Sequence, residues 1–262
     1  MNSGDVTYGG LALSLSLIAI AVVISRREQL RLEREMLVAV ARSFVQLLVV
    51  AIGLGLIVKD STPLIWSWLW VTAIVVFAAV TTRHRAPQMP NVLLIAFAAN
   101  ALTAVLGLGL TFGLGIFPAQ GRTIVPVAGM VVGNAMKSCV VVVQLLESLI
   151  ADRRDDVEAR LALGLPGSQA ARPIVRQALR VAINPMIENV RGLGIIFLPG
   201  AMTGLILAGV KPADAVLVQL AIMWIILGGV VITTATTAVI GTRQLFTADE
   251  RLIPMMRSTV DE

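Results

Sequence analysis

Residues 151–180, ADRRDDVEARLALGLPGSQAARPIVRQALR, form a polar segment between two strongly hydrophobic halves of a chain of 262 residues. Hydrophobic residues make up 57% of the chain and charged residues 14%, whereas soluble domains contain about 25% charged residues. So much apolar surface does not fit inside one soluble core. The sequence therefore predicts an all-α, polytopic integral membrane protein, organised as a single transmembrane domain over residues 1–262, with residues 151–180 on its cytoplasmic side.

The polar segment has the local sequence of a helical hairpin. Residues 155–163 predict a helix, because apolar residues recur four apart on one face, and Gly164 is expected to end it. The next four residues, LPGS at 165–168, are typical of a turn. A second helix follows, and Pro173 suits its first turn, where an N–H would be unpaired anyway. We therefore expect a compact loop.

Seven hydrophobic stretches are long enough to cross a bilayer, which takes about 20 residues. They are residues 6–24, 37–58, 64–82, 92–117, 124–150, 193–209 and 215–240. Loops assigned to the cytoplasm carry fifteen Lys and Arg residues, and loops assigned to the outside carry three. This asymmetry predicts seven transmembrane helices in the inner (plasma) membrane, with the N-terminus outside and the C-terminus in the cytoplasm.

Three smaller features refine this layout. Residues 25–36 mix Arg and Glu at helical spacing and predict a cytoplasmic extension of the first helix. Pro185 and Pro199 are expected to interrupt the sixth span. The chain from Gly241 onward is predicted to be a polar cytoplasmic tail.

Polar residues inside the spans cluster on two helices. In the fifth span they form one stripe of Asn134, Lys137, Gln144 and Glu147. The same helix contains the motif Gly129-x-x-x-Gly133, which allows close approach of another helix. In the segment that leads into the sixth span, Asn184, Glu188 and Arg191 again share one face.

Charges at membrane depth are costly, by about 3 kcal/mol each on insertion scales, so they need partners or water. Two interpretations stay open. The charges either neutralise one another, with Glu188 paired to Arg191 or to Lys137, or they line a polar translocation path between two copies of the chain. On the second interpretation, Pro199 and Gly200 break a helix and turn backbone carbonyls toward a cavity.

Composition excludes several kinds of site. One Cys and one His exclude a disulfide framework and a Cys/His zinc site. The sequence contains no G-x-x-x-x-G-K-[ST] phosphate-binding loop, so we expect no cofactor in this chain. The net charge of +5 lies in loops between spans, which indicates topology rather than nucleic-acid binding. No metal site can be assigned, because methionines in apolar helices are mostly packing residues.

The polar segment resembles a known coupling element. Glu158-Ala159-Arg160, three residues, Gly164, nine residues and Ile174 are similar to the EAA loop of ATP-binding-cassette (ABC) importer permeases. That resemblance implies that the loop seats in a groove of a separate ATPase. Glu158, Ala159, Gly164 and Ile174 would then carry the closing motion of the ATPase into the membrane.

Four runs in order extend the match to most of the chain. They are GMVVGNAMKS (129–138), EARLALGLPGSQAA (158–171), LPGAMTGLILAGV (198–210) and RQLFTADERL (243–252). They resemble the FetB family of ABC permeases, which includes a bacterial iron exporter and plant aluminium-resistance relatives. The resemblance implies a dimeric membrane subunit that pairs with a FetA-type ATPase and moves a metal ion such as iron outward. The membrane core of the family would comprise Gly129, Gly133, Asn134, Pro199, Gly200, Met202, Thr203 and Gly204.

Two alternatives stay open on the sequence. The EAA-like spacing also fits an ABC importer permease, and the polar intramembrane residues also fit a channel or secondary transporter that needs no ATPase. An intramembrane enzyme is disfavoured, because the sequence shows no nucleophile–base pair and no metal-ligand spacing. On each remaining reading the chain is a transport subunit, and ATP hydrolysis, where it occurs, belongs to a partner.

Overall fold

The computed structural model describes residues 8–57, 63–195 and 198–253. The chain divides into two compact units, Met1–Lys59 and Asp60–Glu262. In the described ranges the regular elements are α-helices, accompanied by one isolated β-bridge. The all-α prediction is therefore confirmed for the described residues, whereas the single domain stays a prediction.

The first unit contains α1 (Tyr8–Arg27) and α2 (Glu33–Ile57), which match the first two predicted spans. The predicted helical extension over residues 25–36 is wrong. The helix ends at Arg27 and the chain turns, with positive φ values of 53° at Gln29 and 57° at Arg31. The periodicity of charges could not predict this turn, because the turn is stabilised by a contact between residues of two different helices.

That contact is made by Ser25, which is 1% exposed. Its hydroxyl donates a hydrogen bond to Oε1 of Glu33 at 2.9 Å and accepts one from the Leu32 backbone N–H at 3.2 Å. One buried hydroxyl thus satisfies polar groups on both sides of the turn.

The second unit is a bundle built around one long helix. Its helices are α3 (Ile65–Arg85), α4 (Val92–Gly113), α5 (Gly121–Asp152), α6 (Arg154–Ala162), α7 (Gly167–Ala170), α8 (Arg172–Arg191), α9 (Gly200–Leu207) and α10 (Pro212–Gln244). The central helix, α5, packs against α3, α4, α8 and α10. Among the described residues, α5 supplies seven of the twelve largest fully buried side chains, and four of these seven are valines.

Glycine brings α4 and α10 into close contact. A Cβ placed on Gly229 would lie 2.9 Å from the methyl carbon of Thr103, so no larger residue fits without a shift. The Thr103 hydroxyl donates to the Gly229 carbonyl at 3.3 Å and also contacts the Thr233 hydroxyl. The next threonine, Thr234, donates to the carbonyl of Val230 at 2.7 Å, as expected for threonines in an apolar helix.

Five described helical segments are long and apolar enough to cross a membrane. They are Glu33–Gly53, Ile65–Arg85, Val92–Gly113, Gly121–Asp152 and Pro212–Gln244. Their positions agree with the predicted second, third, fourth, fifth and seventh spans. The chain is therefore a polytopic membrane protein with several apolar helices.

The predicted sixth span, residues 193–209, is not one helix. Over its described residues it contains only α9, whose eight residues reach about 12 Å. Pro199 precedes α9 in an extended conformation, and Gly194 has a φ of +79°, so the backbone leaves helical geometry before α9 begins. The predicted break at Pro185 is wrong, because this residue lies inside α8.

Candidate functional site

The loop between α5 and α8 is exposed on one side and buried against the bundle on the other. Val157 of α6 is 1% exposed, and Ile174 at the start of α8 is 3% exposed. Both belong to one hydrophobic cluster with Ile150 of α5 and Leu245, which follows α10. Packing therefore joins the loop to three long helices, and a displacement of the loop has to displace these helices as well.

The structure places three of the four predicted ATPase-coupling residues on the exposed side of this loop. Glu158, Ala159 and Gly164 are exposed, whereas Ile174 lies in the core beneath them. The Glu158 carboxylate accepts a hydrogen bond from Nε of Arg154 at 2.6 Å, and both side chains are largely exposed. Because an exposed ion pair contributes only about 0–1 kcal/mol, Glu158 can exchange Arg154 for a partner at low cost.

Gly164 ends α6 in a left-handed turn. Its φ is +84°, its N–H donates to the Leu161 carbonyl at 2.9 Å, and the N–H of Leu165 donates to the Arg160 carbonyl at 3.2 Å. These bonds satisfy carbonyls that the end of the helix leaves free. Leu163, at the same corner, is 82% exposed. Its exposed side chain is available for contact with another protein.

A hairpin at residues 245–253, here called the tail hairpin, covers the other side of the loop. Leu245 is fully buried, and Phe246 forms an antiparallel bridge with Leu252. The Glu250 carboxylate accepts a hydrogen bond from the N–H of Gly167, the first residue of α7, at 2.6 Å. The predicted start of the tail at Gly241 is therefore wrong, because α10 continues to Gln244 and residues 245–253 pack back onto the loop. Residues 254–262 of the predicted tail lie outside the described residues, and its cytoplasmic location stays a prediction.

Gly167 is required for this contact. A Cβ on this residue would lie 2.5 Å from Cγ of Phe246 and 2.8 Å from Oε2 of Glu250. Real Cβ atoms do not approach other atoms so closely, so only glycine lets the ring and the carboxylate rest on the start of α7. The tail hairpin thus fixes the second half of the loop, just as Gly164 fixes the first.

A groove of about 660 Å³ runs between the loop and the tail hairpin. Arg154, Glu158 and Leu165 line it from the loop, and Asp249 and Arg251 line it from the hairpin. Its walls carry both charges beside an apolar strip, so it offers hydrogen bonds and apolar contact to a protein segment.

The stripe predicted on α5 lies at the surface of the second unit. Lys137 is exposed, and Asn134 is half-buried and donates to the Met130 carbonyl at 2.8 Å. Among the described residues, no atom lies within 4 Å of a Cβ built on Gly129 or Gly133. This part of α5 is therefore open to close approach by another helix.

Glu147 has a different role from the rest of that stripe. Its carboxylate accepts a hydrogen bond from the backbone N–H of Met89 at 2.7 Å and so holds the connection between α3 and α4. Gln144, one turn earlier, donates to the carbonyl of Arg85 at 2.9 Å. These two side chains fasten neighbouring segments, whereas Asn134 and Lys137 leave their face of α5 open.

The three residues predicted to share a face before the sixth span do so on α8. Asn184, Glu188 and Arg191 are exposed, and Nη1 of Arg191 donates to Oε1 of Glu188 at 2.7 Å. Of the two pairings left open by the sequence, the structure has Glu188 with Arg191 and not with Lys137. Beyond α8, Gly200 and Gly204 of α9 are also open, with no described atom within 4 Å of a Cβ built on either.

Comparison with known proteins places these features in a family. A family described as "Uncharacterised protein family (UPF0014)" matches residues 8–246, which include both the loop and the open faces of α5 and α8. The chain belongs to this family. The resemblance inferred from the four sequence runs is confirmed.

Relatives of this UPF0014 chain come from plants and bacteria. UPF0014 membrane protein STAR2 of Oryza sativa subsp. japonica is 38% identical over 77% of this chain and 70% of its own length. Protein ALUMINUM SENSITIVE 3 of Arabidopsis thaliana is 32% identical over 85% and 81%. The "Probable iron export permease protein FetB" of Escherichia coli (strain K12) is 27% identical over 97% of both. No solved structure matches the chain.

Sequence reasoning missed the tail hairpin of this UPF0014 chain. The run LFTADERL places apolar residues at both ends of a charged turn, which is a recognisable signal for a hairpin. Its binding partner, however, lies 83 residues earlier in the chain, because Glu250 contacts Gly167. Local pattern could suggest the turn but not the surface on which it rests.

A buried polar group at the centre of the bundle was also missed. Asn100 is fully buried on α4 and donates to the Ala96 carbonyl at 2.8 Å, while its Oδ1 has no hydrogen-bond partner within the described ranges. The thiol of Cys139 lies 3.3 Å from the Thr237 hydroxyl. The Cys139–Thr237 contact joins α5 to α10, whereas the Asn100 hydrogen bond stays within α4.

Proposed function

We propose that this chain is the transmembrane permease subunit of an ABC transporter in the inner (plasma) membrane. In this proposal it crosses the bilayer seven times, with the N-terminus outside and the C-terminus in the cytoplasm, and the sixth crossing is an interrupted one that includes the short helix α9. It forms a homodimer, pairs with a separate FetA-type ATPase, and exports a metal ion such as iron. The chain itself hydrolyses no ATP and carries no cofactor.

One observation carries the proposal: the exposed corner around Glu158 and Gly164 sits on a base that is packed into the bundle. The corner offers a weakly paired carboxylate and an exposed leucine to a partner. Its base contains Val157 and Ile174, which contact the long helices. A partner that grips the corner and moves would therefore move the bundle, which is the mechanical requirement for ATP-driven alternating access.

The open faces of α5 and α8 support a path between two copies. Charged and amide side chains that lie at membrane depth need water or protein rather than lipid. Glycines at 129 and 133 of α5 and at 200 and 204 of α9 leave room for a second copy to approach. The non-helical backbone at residues 192–195 and 198–199 is of the kind that is tolerated at membrane depth only where it lines a cavity.

The relatives support the choice of substrate and direction. The Escherichia coli relative is named as a probable iron export permease, and that protein aligns with this chain over nearly its whole length. The name of the Arabidopsis thaliana relative refers to aluminium. A small multivalent metal ion is the substrate class that both names share.

The test of coupling replaces Gly164 by Lys in the complex reconstituted with its ATPase. A side chain at a φ of +84° costs about 1–2 kcal/mol of local strain and places a charge in the docking corner. We expect stimulated ATP turnover and ATP-dependent iron transport to fall together. The control is Gly209→Lys, because Gly209 has a similar φ of +88° in the turn before α10. Equal turnover in the two variants, or iron transport by the purified chain alone, would remove the proposal.

A further inference from the structure

The exposed face of α8 carries one continuous polar stripe, here called the α8 stripe. It consists of Arg172, Arg176, Arg180, Asn184, Glu188 and Arg191, all of them exposed. At 1.5 Å per residue, the first and last members lie about 28 Å apart along the helix. The opposite face packs into the core through Ile174, Ala178, Ala182 and Met186. Sequence reasoning divided these residues between a loop and a span, whereas the structure places them on one helix.

The length of the α8 stripe decides what can lie beside it. Lipid headgroups could bind its first arginines. In the proposed topology, however, the groups from Asn184 to Arg191 lead directly into the sixth crossing, where the hydrocarbon interior cannot solvate charged and amide groups. A single stripe that joins the polar loop to the broken backbone after α8 fits an aqueous path. The following inference rests on the proposed function, in which that path carries the substrate.

The α8 stripe carries an excess of unpaired positive charge. The Glu188 carboxylate is already bound by Arg191. Arg172, Arg176 and Arg180 have neither an ion pair nor a hydrogen bond to any described residue, and α8 holds no acidic residue within four positions of them. On the neighbouring helix α5, Lys137 adds another exposed positive charge, while the Glu147 carboxylate is bonded to the backbone of Met89.

Unpaired arginines at four-residue spacing disfavour the passage of a free metal cation and favour the binding of an anion. They repel one another and a bare metal cation alike, so they weaken the helix without helping a cation to pass. Each guanidinium instead offers a planar fork of donors that fits a carboxylate or phosphate group. Successive forks rise about 6 Å along the helix, which is a short step for a small anion.

We propose that the substrate crosses as an anion: a metal ion held in a negatively charged small-molecule complex, such as a polycarboxylate chelate, rather than as a free cation. The three arginines recruit this complex at the mouth of the path and pass it toward Asn184. A cleft lined by charges of one sign raises the local concentration of its counter-ion by about 10–1,000-fold, so these residues select the charge of the substrate.

The experiment measures ATP-dependent iron uptake into inside-out proteoliposomes of neutral lipid that contain the permease and its ATPase. The probes are radioactive iron as its anionic citrate complex and the same amount of ferrous iron kept reduced by ascorbate. The variant R172Q/R176Q/R180Q removes the three charges, and R172K/R176K/R180K keeps them. Arg153→Gln is the matched control, because Arg153 is exposed in the same loop but off the stripe.

We expect the citrate complex to be carried in preference to ferrous iron. The glutamine triple variant should lower its flux about tenfold or more, with ATP turnover retained, while Arg153→Gln stays near the wild type. The lysine variant keeps the charge but not the planar fork, so its flux should lie between those of the glutamine variant and the wild type. Raising the ionic strength should reduce the wild-type flux, because the Debye length falls from about 10 Å at 0.1 M to about 3 Å at 1 M. The glutamine variant should lose this salt dependence, which a purely structural role of the arginines would not change.

Three results would overturn the inference, and they are distinguishable. Preferential transport of ferrous iron, unaffected by the glutamine variant, removes the anionic substrate and leaves metal export intact. An effect of the arginines that appears only in vesicles of anionic lipid assigns them to headgroup binding. Transport of neither iron species, with ATP turnover intact, removes the proposed function itself.

Discussion

Replacing Gly167 by Ala is expected to detach the tail hairpin from the loop. Gly167 is the first residue of α7 and is not among the residues with positive φ, so alanine is compatible with its backbone. The strain would come only from steric contact between the added Cβ and neighbouring side chains. The new Cβ would lie 2.5 Å and 2.6 Å from Cγ and Cδ1 of Phe246 and 2.8 Å from Oε2 of Glu250. Both side chains have to move by about 1 Å to restore normal van der Waals contact.

The expected magnitude follows from those contacts. Adding one carbon to a filled space costs about 1–3 kcal/mol. Displacing Glu250 also weakens its charge-assisted hydrogen bond to the Gly167 N–H, the kind of bond that contributes about 1.5–3 kcal/mol. Taking about 2 kcal/mol for the combined change, the population with a detached hairpin rises about thirtyfold.

Hydrogen exchange followed by mass spectrometry measures this population directly. Peptides that cover residues 163–171 and 245–253 should exchange about thirtyfold faster in Gly167→Ala, because the opening of a local segment sets the exchange rate of its amides. Peptides from the middle of α5 should not change. The matched control is Gly228→Ala on α10, where no described atom lies within 4 Å of the added carbon.

Testing Gly167→Ala in the Phe246→Ala variant separates the steric effect from a general loss of stability. Phe246→Ala loosens the hairpin by itself, but it also removes the ring that the new Cβ would meet. Gly167→Ala should therefore have a much smaller additional effect in that background. Equal exchange in the Gly167 and Gly228 variants, or full additivity of the Gly167 and Phe246 changes, would refute the reasoning.

Three further outcomes follow from the structure. Glu188→Gln should impair iron transport by the reconstituted complex and leave its assembly, measured by size-exclusion chromatography, unchanged; normal transport would reduce this residue to a packing role. Glu147→Gln replaces a charged acceptor of the Met89 N–H by a neutral one and should lower the free energy of unfolding by about 1 kcal/mol, seen as a lower Tm; an unchanged Tm contradicts that contact. Gly133→Leu fills the open face of α5 and should shift a dimer toward monomer in cross-linking, whereas an unchanged oligomeric state argues against an interface there.

The sequence predicted the long helices because their signals are local. Hydrophobic runs bounded by glycine and proline place α3, α4, α5 and α10 within a few residues of their observed ends. The same is true of α6, where Gly164 marks the end of the helix. These features depend on residues close together in the chain, and the physical cause of each can be read from a short window.

The features that could not be predicted depend on contacts between distant segments. The turn after α1 is fixed by the Ser25–Glu33 hydrogen bond, and the hairpin depends on Glu250 reaching Gly167. Proline gave a false break at Pro185, because a helix packed along one face tolerates the loss of a hydrogen bond.

For the candidate site, periodicity predicted the shared face of Asn184, Glu188 and Arg191. It did not join that face to Arg172, Arg176 and Arg180, because hydropathy divides the two groups between a loop and a span. Only the continuous α8 shows that they form one stripe. The glycines of α5 could likewise be identified as a packing motif from the sequence. Only the structure shows that no other described helix covers that face.

The position of the tail hairpin in the chain has a consequence for biogenesis. Residues 245–253 follow the ten helices of the described part of the chain, so during translation they leave the ribosome only after these helices have been made. Until then the start of α7 lacks both its ring and its carboxylate. A nascent or prematurely terminated chain would therefore present an unfinished surface to its partner, and recruitment of that partner would act as a check that synthesis has passed the last helix.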